Sequence, residues 1–528
     1  MAASVRKLGA GLADKAADMP GETVHQQTPH RAMITACAIG ATVLQLLDQT
    51  IANVALLYMQ VSFSSSYHEI TWVLTSYITA SAIMTAPVGW LAARYGRKPL
   101  YVGCILGFTI TSMLCGAAQS LGQMVVFRIL QGVFGAALVP LSQATLLDIY
   151  PVERRGFAMA IWGVGVMLGP IMGPTVGGWL TEMYSWRWVF YINLPFGLLA
   201  AVGLMIFLPG GGEQGRLRFD WLGFTVLTIG IGGLQLMLDR GHDQDWFTSR
   251  EIIAEAVFAG LGFYLFLVHV SSAPQPLIRP ALFRDVNFAS GVLLMFMVGI
   301  FMVSSLALMT PWLQVLSNYP VETAGLIMAP RGFGSLVTTI MTGRLANRVD
   351  SRLMVGIGLL MLTYTYWLMT GWTPDVSDRE IIFAIVIQGG AMGLLFTPLQ
   401  VLAFVTLSPS MRTEGAALFS LLRNLGAAIG VSVATSMLAR NAQAMHEIIG
   451  ASVTPFNRAL QSAESVRQWL DPAARHGATL LDQIINHQAQ IIAYANVYVL
   501  LILLTIPAWI LLLMIRPPRK VMVGAAAE

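Results

Sequence analysis

The chain has 528 residues, of which 56% are hydrophobic and only 11% are charged, whereas soluble domains usually carry about 25% charged residues. So few charges cannot cover a soluble protein of this size, which excludes that class in favour of a protein whose surface faces lipid. The formal net charge of +4 does not indicate nucleic-acid binding, because Lys and Arg of membrane proteins collect in cytoplasmic loops.

The N-terminal segment 1–32 is polar and lacks the apolar core of a signal peptide, so it is predicted to be a cytoplasmic tail. Beyond it, a spanning helix requires about 20 mostly apolar residues, and fourteen stretches meet that requirement. The sequence therefore predicts an all-α polytopic membrane protein. The predicted spans are 33–57, 69–92, 99–118, 123–147, 157–180, 188–208, 220–239, 251–272, 286–312, 323–346, 353–372, 380–404, 415–439 and 490–515.

The distribution of basic residues predicts the orientation. With the N-terminus inside, twenty of the 31 Lys and Arg residues fall in inside segments, eight in outside segments and three within spans. Positive charge accumulates on the cytoplasmic side of membrane proteins, so both termini are expected to be cytoplasmic.

The first span contains a carboxylate, within the motif Leu47–Ala55. Gln45, Asp48 and Ala52 recur on one helical face. An acid at membrane depth costs roughly 2.5–3.5 kcal/mol on insertion scales and usually faces the protein interior. Asp48 is therefore a candidate proton-coupling residue; the alternative is a fixed structural anion paired with an Arg.

A cation opens the fourth span, in the motif Arg128–Gly135. Arg128, Gln131 and Gly135 share one helical face. A guanidinium keeps its proton in proteins, so Arg128 cannot carry protons itself. It can tune a neighbouring carboxyl group or bind an anion, and we predict that it acts with Asp48 in proton coupling.

Two inside loops carry the same pattern, G-x-L-A-x-R-x-x-x-[KR], at Gly89–Lys98 and Gly343–Arg352. This weak repeat predicts an N-terminal six-helix bundle (33–208), an inserted helix pair with flanking loops (209–285), a C-terminal six-helix bundle (286–515) and a cytoplasmic tail (516–528). Repeats of this kind are common in secondary transporters, whose substrate sites lie between the repeats.

The fifth predicted span, with the motif Gly165–Gly178, contains small residues at three- and four-residue spacing and two prolines. Small residues let helix backbones approach closely, and proline permits a bend, so the helix is expected to be tightly packed and hinge-prone; plain packing is the alternative. The residues predicted to control conformation are Gly89, Arg94, Gly96, Arg97, Lys98, Gly132, Gly135, Gly169, Pro170, Gly173, Pro174, Gly177 and Gly178.

Polar and aromatic residues inside the spans are candidates for substrate binding, although each alone is more often a packed residue. Three intramembrane Arg against one clear intramembrane Asp predict a cavity that favours neutral or weakly acidic amphiphiles over lipophilic dications. The candidates are Gln45, Gln131, Gln143, Arg331, Gln388, Phe396, Gln400, Phe419, Arg423 and Asn424.

The segment 441–489 is long and polar, is predicted to lie outside, and is expected to be mostly helical, for example at Ser462–Trp469 and Thr479–Ala493. It is either a cap over the outer mouth or a docking site for a partner. The eight His residues form no ligand cluster and no nucleotide-binding P-loop pattern occurs. No metal or cofactor is expected, and an ion gradient must supply the energy.

Together these motifs resemble the major facilitator superfamily, in particular its fourteen-helix drug:proton antiporter branch and the EmrB-type multidrug exporters within it. The resemblance covers nearly the whole chain after the N-terminal tail. It rests on Leu47–Ala55, Gly89–Lys98, Arg128–Gly135, Gly165–Gly178, Trp186–Gly197 and Gly232–Gly241.

The resemblance implies a transporter of the bacterial inner membrane, not an enzyme, that exports amphipathic small molecules against proton entry by alternating access. It also implies a periplasmic adaptor of the EmrA-like membrane fusion type and an outer-membrane channel as partners. The sequence departs from the family pattern at Ala93 and Asn347, where the loop motif normally has an acid that latches the outward-open state. Arg331 is a further departure.

Other functions are compatible with the sequence. The chain is alternatively a dedicated exporter of a metabolite, siderophore or lipid, which neighbouring biosynthetic genes would favour. An importer is disfavoured by the motif Gly165–Gly178 through the family pattern alone. A non-transporting membrane sensor is a further alternative.

Overall fold

A computed structural model of the chain describes residues 30–151, 154–210, 218–241, 244–345, 348–408, 411–453 and 475–516. These ranges are built from helices and their connections, without a strand. The helices of the first half and the inserted pair are α1 (Arg31–Phe63), α2 (Tyr67–Thr85), α3 (Val88–Tyr95), α4 (Arg97–Ala117), α5 (Leu121–Gly135), α6 (Leu138–Ile149), α7 (Arg155–Met183), α8 (Trp188–Tyr191), α9 (Asn193–Phe207), α10 (Trp221–Arg240) and α11 (Arg250–Ser272). Those that follow are α12 (Ala281–Arg284), α13 (Val286–Pro311), α14 (Val321–Met328), α15 (Pro330–Leu345), α16 (Ser351–Thr370), α17 (Asp378–Phe404), α18 (Arg412–Ser452) and α19 (Arg475–Met514).

Within the described ranges, eleven helices are long and apolar enough to cross a membrane, which confirms the all-α polytopic class. The other three predicted spans, 69–92, 157–180 and 323–346, are also helical, in α2 with α3, in α7, and in α14 with α15. The count of fourteen spans and the orientation of the termini stay predictions. The tails 1–29 and 517–528 lie outside the described residues.

Proline explains where two of the predicted spans are divided. Pro87 lies between α2 and α3, and Pro330 begins α15 directly after α14. Proline has no N–H to donate to the preceding turn, so it interrupts a helix but is well suited to a first turn. Pro311 is followed by one π-helical turn, Trp312–Leu316, at the end of α13.

Helices α10 and α11 form an antiparallel hairpin between the N-half (30–208) and the C-half (286–516). A Cβ on Gly230 of α10 would lie 3.1 Å from the backbone nitrogen of Phe263 of α11. At the far end of α10, the hydroxyl of Thr75 on α2 donates to the Asp239 carboxylate. The hydroxyl of Ser432 on α18 donates to the carbonyl of Leu238 at 3.2 Å. The inserted hairpin therefore contacts both halves.

The glycines of α7 pack against α1. A Cβ on Gly173 would lie 2.0 Å from Thr50 Oγ1, and one on Gly177 would lie 2.7 Å from Ile51 Cγ1. The Thr50 hydroxyl donates to the carbonyl of Gly169 at 3.2 Å. Close backbone approach of α1 and α7 thus requires glycine on this face, which confirms the predicted tight packing.

Gly178, Pro170 and Pro174 are the other residues of α7 that were predicted to control conformation. A Cβ on Gly178 would meet nothing within 4 Å, so this glycine is not a packing residue. Pro170 and Pro174 lie within an uninterrupted helix from Arg155 to Met183, and their side chains lie outside the description. The hinge predicted at these prolines stays a prediction.

The segment 441–489 is helical at both ends, in agreement with its expected helical character. Helix α18 continues through Ser452 and α19 begins at Arg475. Nε2 of His446 on α18 lies 3.0 Å from Oδ1 of Asp482 on α19, so the two helices stay paired. The predicted helix Thr479–Ala493 is confirmed, and Ser462–Trp469 lies outside the described residues.

Candidate functional site

Asp48 lies on α1 within the N-half, fully buried, and its carboxylate accepts three hydrogen bonds. Nη1 of Arg128 on α5 donates to Oδ2 at 2.6 Å. Nε2 of Gln131 and Nδ2 of Asn193 donate to Oδ1 at 2.9 and 3.1 Å. Hydrogen bonds to an ionised acceptor are stronger than neutral ones, so this arrangement stabilises the charged form of the carboxylate.

Arg128 is equally enclosed, with 0% exposure. Its Nε donates to the carbonyl of Val73 at 3.0 Å, and its Nη1 also donates to Gln131 Oε1 at 2.8 Å. Its Cζ lies 4.3 Å from the ring centroid of Tyr77 and 5.7 Å from that of Phe190. Aromatic faces attract a desolvated guanidinium. The cation is therefore stabilised by a carboxylate, a carbonyl and two rings.

Asn193, the first residue of α9, belongs to this cluster and was not among the predicted site residues. Its Nδ2 donates to Ser112 Oγ at 2.9 Å as well as to Asp48. Ser112 in turn donates to the carbonyl of Phe190 at 2.9 Å. The available signal in the sequence was a single amide between apolar residues at the start of a span, which by itself does not point to Asp48.

The contact between Asp48 and Arg128 is the pairing that the sequence left open as an alternative to proton coupling. The two roles are compatible if the pair opens during a transport cycle. In the present arrangement Asp48 has 0% exposure, so a proton reaches it only after the surrounding helices move. The coupling role of both residues stays a prediction.

The C-half holds two guanidinium groups that, unlike Arg128, have no carboxylate partner among the described residues. Arg423 on α18 is buried, and its Nε donates to Asn424 Oδ1 at 3.4 Å. Arg331 on α15 is half-buried, and its Nη2 donates to the carbonyl of Met302 at 3.3 Å. In the part of the chain that the structure describes, neither guanidinium has a carboxylate oxygen within 4.0 Å. Because an unpaired buried charge is costly, both groups favour an anionic or acceptor-rich ligand.

Polar and aromatic candidates meet where the halves touch. Gln143 Nε2 on α6 donates to Gln400 Oε1 on α17 at 3.2 Å. The Trp162 ring on α7 is nearly parallel to the Phe396 ring on α17, with centroids 5.9 Å apart. Nε2 of Gln400 and of Gln388 is buried without a hydrogen-bond partner among the described residues. Unpaired buried donors are rare and costly, so this region suits a ligand that offers acceptors.

Two candidates lie elsewhere. Phe419 packs edge-on against Phe404, with centroids 5.5 Å apart, inside the C-half. Gln45 is buried on α1, one turn before Asp48. A role in substrate binding stays a prediction for both, as for the other candidates.

At the predicted inside end of the molecule, Asp148 connects the two halves. Arg97 of the N-half contacts the Asp148 carboxylate and donates from Nη2 to Thr413 Oγ1 of the C-half at 2.9 Å. Arg412 of the C-half donates from Nη1 to Asp148 Oδ1 at 2.8 Å. Ala93 leaves the loop motif without its usual acid, and Asp148 supplies a carboxylate that binds both halves.

The two loop-motif glycines occupy matching positions. A Cβ on Gly89 would lie 2.8 Å from Glu414 Cα at the start of α18, and one on Gly343 would lie 2.6 Å from Ala160 Cβ near the start of α7. Each glycine thus lies against the opposite half, as an internal repeat requires. The Glu414 carboxylate accepts from the backbone N–H of Arg279 at 2.6 Å, which attaches the segment after α11 to the same place.

Gly96 separates α3 from α4 and has φ 83°, a backbone conformation that glycine adopts without a steric penalty. It turns the chain between Arg94, in the last turn of α3, and Lys98, in the first turn of α4. The sharp turn places Arg97 where it reaches Asp148.

Two helical bundles thus meet across a polar interface, with a buried charge pair in one and unpaired cations in the other. This architecture is that of a secondary membrane transporter, a class in which the substrate site lies between two repeats.

Comparisons with known proteins identify the family. Residues 38–431 match the model of the Major Facilitator Superfamily. The chain is 34% identical over 462 residues to the multidrug export protein EmrB of Escherichia coli strain K12, covering 87% of this chain and 90% of that protein. It is 32% identical to the fatty acid resistance protein FarB of Neisseria gonorrhoeae, with the same coverage. The human organic anion transporter MFSD10 (TETRAN) has a similar fold, with a TM-score of 0.56 at 15% identity over 90% of this chain and 99% of that one.

The chain belongs to the major facilitator superfamily. This confirms the predicted family and the prediction of a transporter rather than an enzyme. The helical spans and the bacterial relatives agree with the predicted location in the inner membrane.

Proposed function

We propose that this protein is a proton-driven exporter of amphipathic small molecules. The observation that carries the proposal is the buried Asp48 carboxylate, held by Arg128, Gln131 and Asn193 inside one half of a major facilitator fold. The names of its relatives, multidrug export proteins above all, support export as the direction. Protons are the proposed coupling ion, with no cofactor.

The proposed cycle alternates between two arrangements of the halves. Substrate binds from the inside while Asp48 is ionised. After the outside opens, a proton displaces Arg128 from Asp48 as substrate leaves, and loss of the charge eases the return. A membrane potential of 100 mV supplies about 2.3 kcal/mol per proton and one pH unit adds about 1.4 kcal/mol. One proton therefore supports a gradient of roughly several hundred-fold for a neutral substrate.

The proposed substrates are neutral or weakly acidic amphiphiles. Arg331 and Arg423 bring positive charge without a nearby carboxylate, and Phe396 with Trp162 offers flat apolar surface. A lipophilic dication would meet uncompensated repulsion from both guanidinium groups. The relative FarB is a fatty acid resistance protein by name, which fits this charge preference.

The test is substrate transport into proteoliposomes under an imposed pH gradient, with a panel of neutral, acidic and bis-cationic amphiphiles. Substrate-stimulated proton flux is expected with the unchanged protein and is expected to vanish in Asp48→Asn. Unchanged proton-driven transport in Asp48→Asn would exclude Asp48 as the coupling site. A panel without any transported amphiphile would favour a dedicated metabolite, siderophore or lipid exporter, or a sensor.

We also propose that the paired ends of α18 and α19 form the contact with an EmrA-like periplasmic adaptor, which would link the pump to an outer-membrane channel. The two helices extend together beyond the apolar part of their spans and present polar side chains there, including His446 and Asp482. Replacing residues 450–480 by a short Gly/Ser linker is expected to abolish copurification of the adaptor and to leave transport into proteoliposomes intact. Retained copurification would exclude this surface.

A further inference from the structure

The Asn193 amide next to Asp48 uses its nitrogen, but not its oxygen, in hydrogen bonds among the described residues. Its Nδ2 donates to Asp48 Oδ1 at 3.1 Å and to Ser112 Oγ at 2.9 Å. Its Oδ1 is buried and has no hydrogen-bond partner among the described residues. A buried acceptor without a donor is rare in proteins. The arrangement therefore satisfies the ionised Asp48 and leaves one acceptor of Asn193 unused.

A protonated Asp48 has a different requirement, since its O–H must donate to an acceptor. Gln131 Oε1 already accepts from Arg128 Nη1 at 2.8 Å, and Cys115 Sγ lies 3.5 Å from it. Gln45 Oε1, Tyr77 Oη and Asn193 Oδ1 are buried near Asp48 without a hydrogen-bond partner among the described residues. Of these three residues, Asn193 already forms a hydrogen bond with the Asp48 carboxylate. Because the two ends of an amide have nearly the same shape, turning the Asn193 amide by about 180° about Cβ–Cγ exchanges donor for acceptor without displacing any neighbour.

The turn is compatible with the neighbouring groups. A hydroxyl both donates and accepts, so Ser112 changes from accepting to donating toward Asn193 and releases the Phe190 carbonyl. That carbonyl keeps the backbone N–H of Ile192 as a donor. Each orientation of the amide leaves one of its two polar atoms unpaired, so neither orientation is strongly preferred in itself.

The ionisable groups that face Asp48 from the packed helices are Arg128 of α5, Tyr77 of α2 and Cys115 of α4. Arg128 only donates, and α9 carries no ionisable residue. The Tyr77 hydroxyl is unpaired among the described residues, but it makes no hydrogen bond to Asp48, whereas Asn193 does. Helix α7 presents glycines to α1, among them Gly169.

We propose that Asn193 is the positioning residue for proton coupling. Its amide donates to the ionised Asp48 and, after turning, accepts the proton of the neutral acid, so that Asp48 changes protonation state inside one polar cluster. This rests on the proposed function for its role in transport. The proton enters the Asp48 carboxyl group and leaves from it, and Asn193 itself gains and loses none.

The test is infrared difference spectroscopy of the full-length protein in detergent, titrated without substrate. The carboxylic acid band of Asp48 is assigned by its loss in Asp48→Asn. In Asn193→Leu, which is similar in size but has no hydrogen bond, the neutral acid loses its acceptor while the carboxylate keeps two donors. The acid band of Asp48 is therefore expected to move to higher frequency. The carboxylate also loses the stronger, charge-assisted bond from Asn193, so the midpoint for protonation is not expected to fall.

The acid band separates the alternatives. If Asn193 only donates to the carboxylate, the midpoint rises and the acid band keeps its frequency; if it only fills space, neither changes; either result would overturn the proposal. The matched control is Asn287→Leu, a buried Asn of α13 that donates to the carbonyl of Arg516 at 3.2 Å. This variant is expected to lose thermal stability and to keep the midpoint of Asp48.

The spectroscopic result for Asn193 does not depend on whether the protein transports a substrate. Loss of proton-driven export in Asp48→Asn tests the proposed function, whereas the titration reports on Asn193 even in a protein that moves no substrate. A shifted acid band in Asn193→Leu together with unchanged export in Asp48→Asn would support the amide turn and reject coupling through Asp48.

Discussion

Asp148 of the N-half and Arg412 of the C-half are joined by a 2.8 Å hydrogen bond at the predicted inside end of the molecule. Arg97 approaches the same carboxylate from the N-half, so Asp148 lies between two cations that belong to different halves. A carboxylate in this position stabilises the closed inside end, and it does so in a sequence that has Ala93 where the loop motif usually places its acid.

We therefore expect Asp148→Asn to favour opening of the inside end. Loss of a partly exposed ion pair costs roughly 1 kcal/mol, which corresponds to about a fivefold shift between the two arrangements. The measurement is the rate of maleimide labelling of Ala160→Cys, a position buried against Gly343, in a protein without its three native cysteines. The control is Asp285→Asn, which keeps the cap of α13, and an equal labelling rate in the two variants would contradict the role of Asp148.

The unpaired cations of the C-half predict a preference for acidic over cationic substrates. Substitution of one of these cations is expected to remove that preference. Arg423→Gln is expected to reduce transport of an amphipathic carboxylic acid about tenfold, because a hydrogen bond to a charged group contributes about 1.5–3 kcal/mol. Transport of its methyl ester is expected to stay unchanged. Arg379→Gln, which removes an exposed charge from the start of α17, is the control. Strong protection by the unchanged protein against bis-cationic biocides, with none against acidic uncouplers, would refute the preference.

The buried pair of Asp48 and Arg128 predicts a strong energetic coupling. Each single substitution, Asp48→Asn or Arg128→Gln, leaves a buried charge without its partner and is expected to destabilise the protein by about 3–5 kcal/mol. The double variant is expected to be far less destabilised than the two single effects added together. The free energy of unfolding in mild detergent measures this difference.

A matched pair at the surface shows how much of that coupling depends on burial. Arg240 and Glu251 form a more exposed ion pair in the inserted hairpin. The same analysis with Arg240→Gln and Glu251→Gln is expected to give a coupling below about 1 kcal/mol. Equal coupling energies for the two pairs would show that burial of Asp48 and Arg128 has no energetic consequence.

The close contact of α1 and α7 predicts which glycines tolerate a methyl group. Gly173→Ala is expected to destabilise the protein by about 1–3 kcal/mol, because the new Cβ would lie 2.0 Å from Thr50 Oγ1. Gly178→Ala is expected to have almost no effect, since that Cβ would meet nothing within 4 Å. The apparent melting temperature measures both. Equal changes in the two variants would show that the contact with Thr50 does not limit Gly173, since helix propensity alone favours Ala at both positions.

Several features follow from the sequence by itself. The free energy of transferring a side chain into lipid depends mainly on that side chain itself. Summing it over a window of residues therefore predicts most spans and the depth of Asp48 and Arg128 in the membrane. Helical periodicity likewise predicts which residues share a face, and the glycines of α7 follow from it. The paired ends of α18 and α19 were only partly predictable, because a polar helix that continues beyond its span resembles a loop in hydropathy.

The partners of the functional residues were decided only by the tertiary structure. Asn193 is 145 residues from Asp48, and Arg412 is 264 residues from Asp148. Periodicity gives the face on which a side chain lies but not the helix that packs against that face, nor the register in which two helices meet. The sequence alone thus determined that a membrane transporter holds a buried acid. The packing of α1, α5 and α9 decided that this acid is held by three donors, one of which is an Asn193 amide whose oxygen has no partner among the described residues.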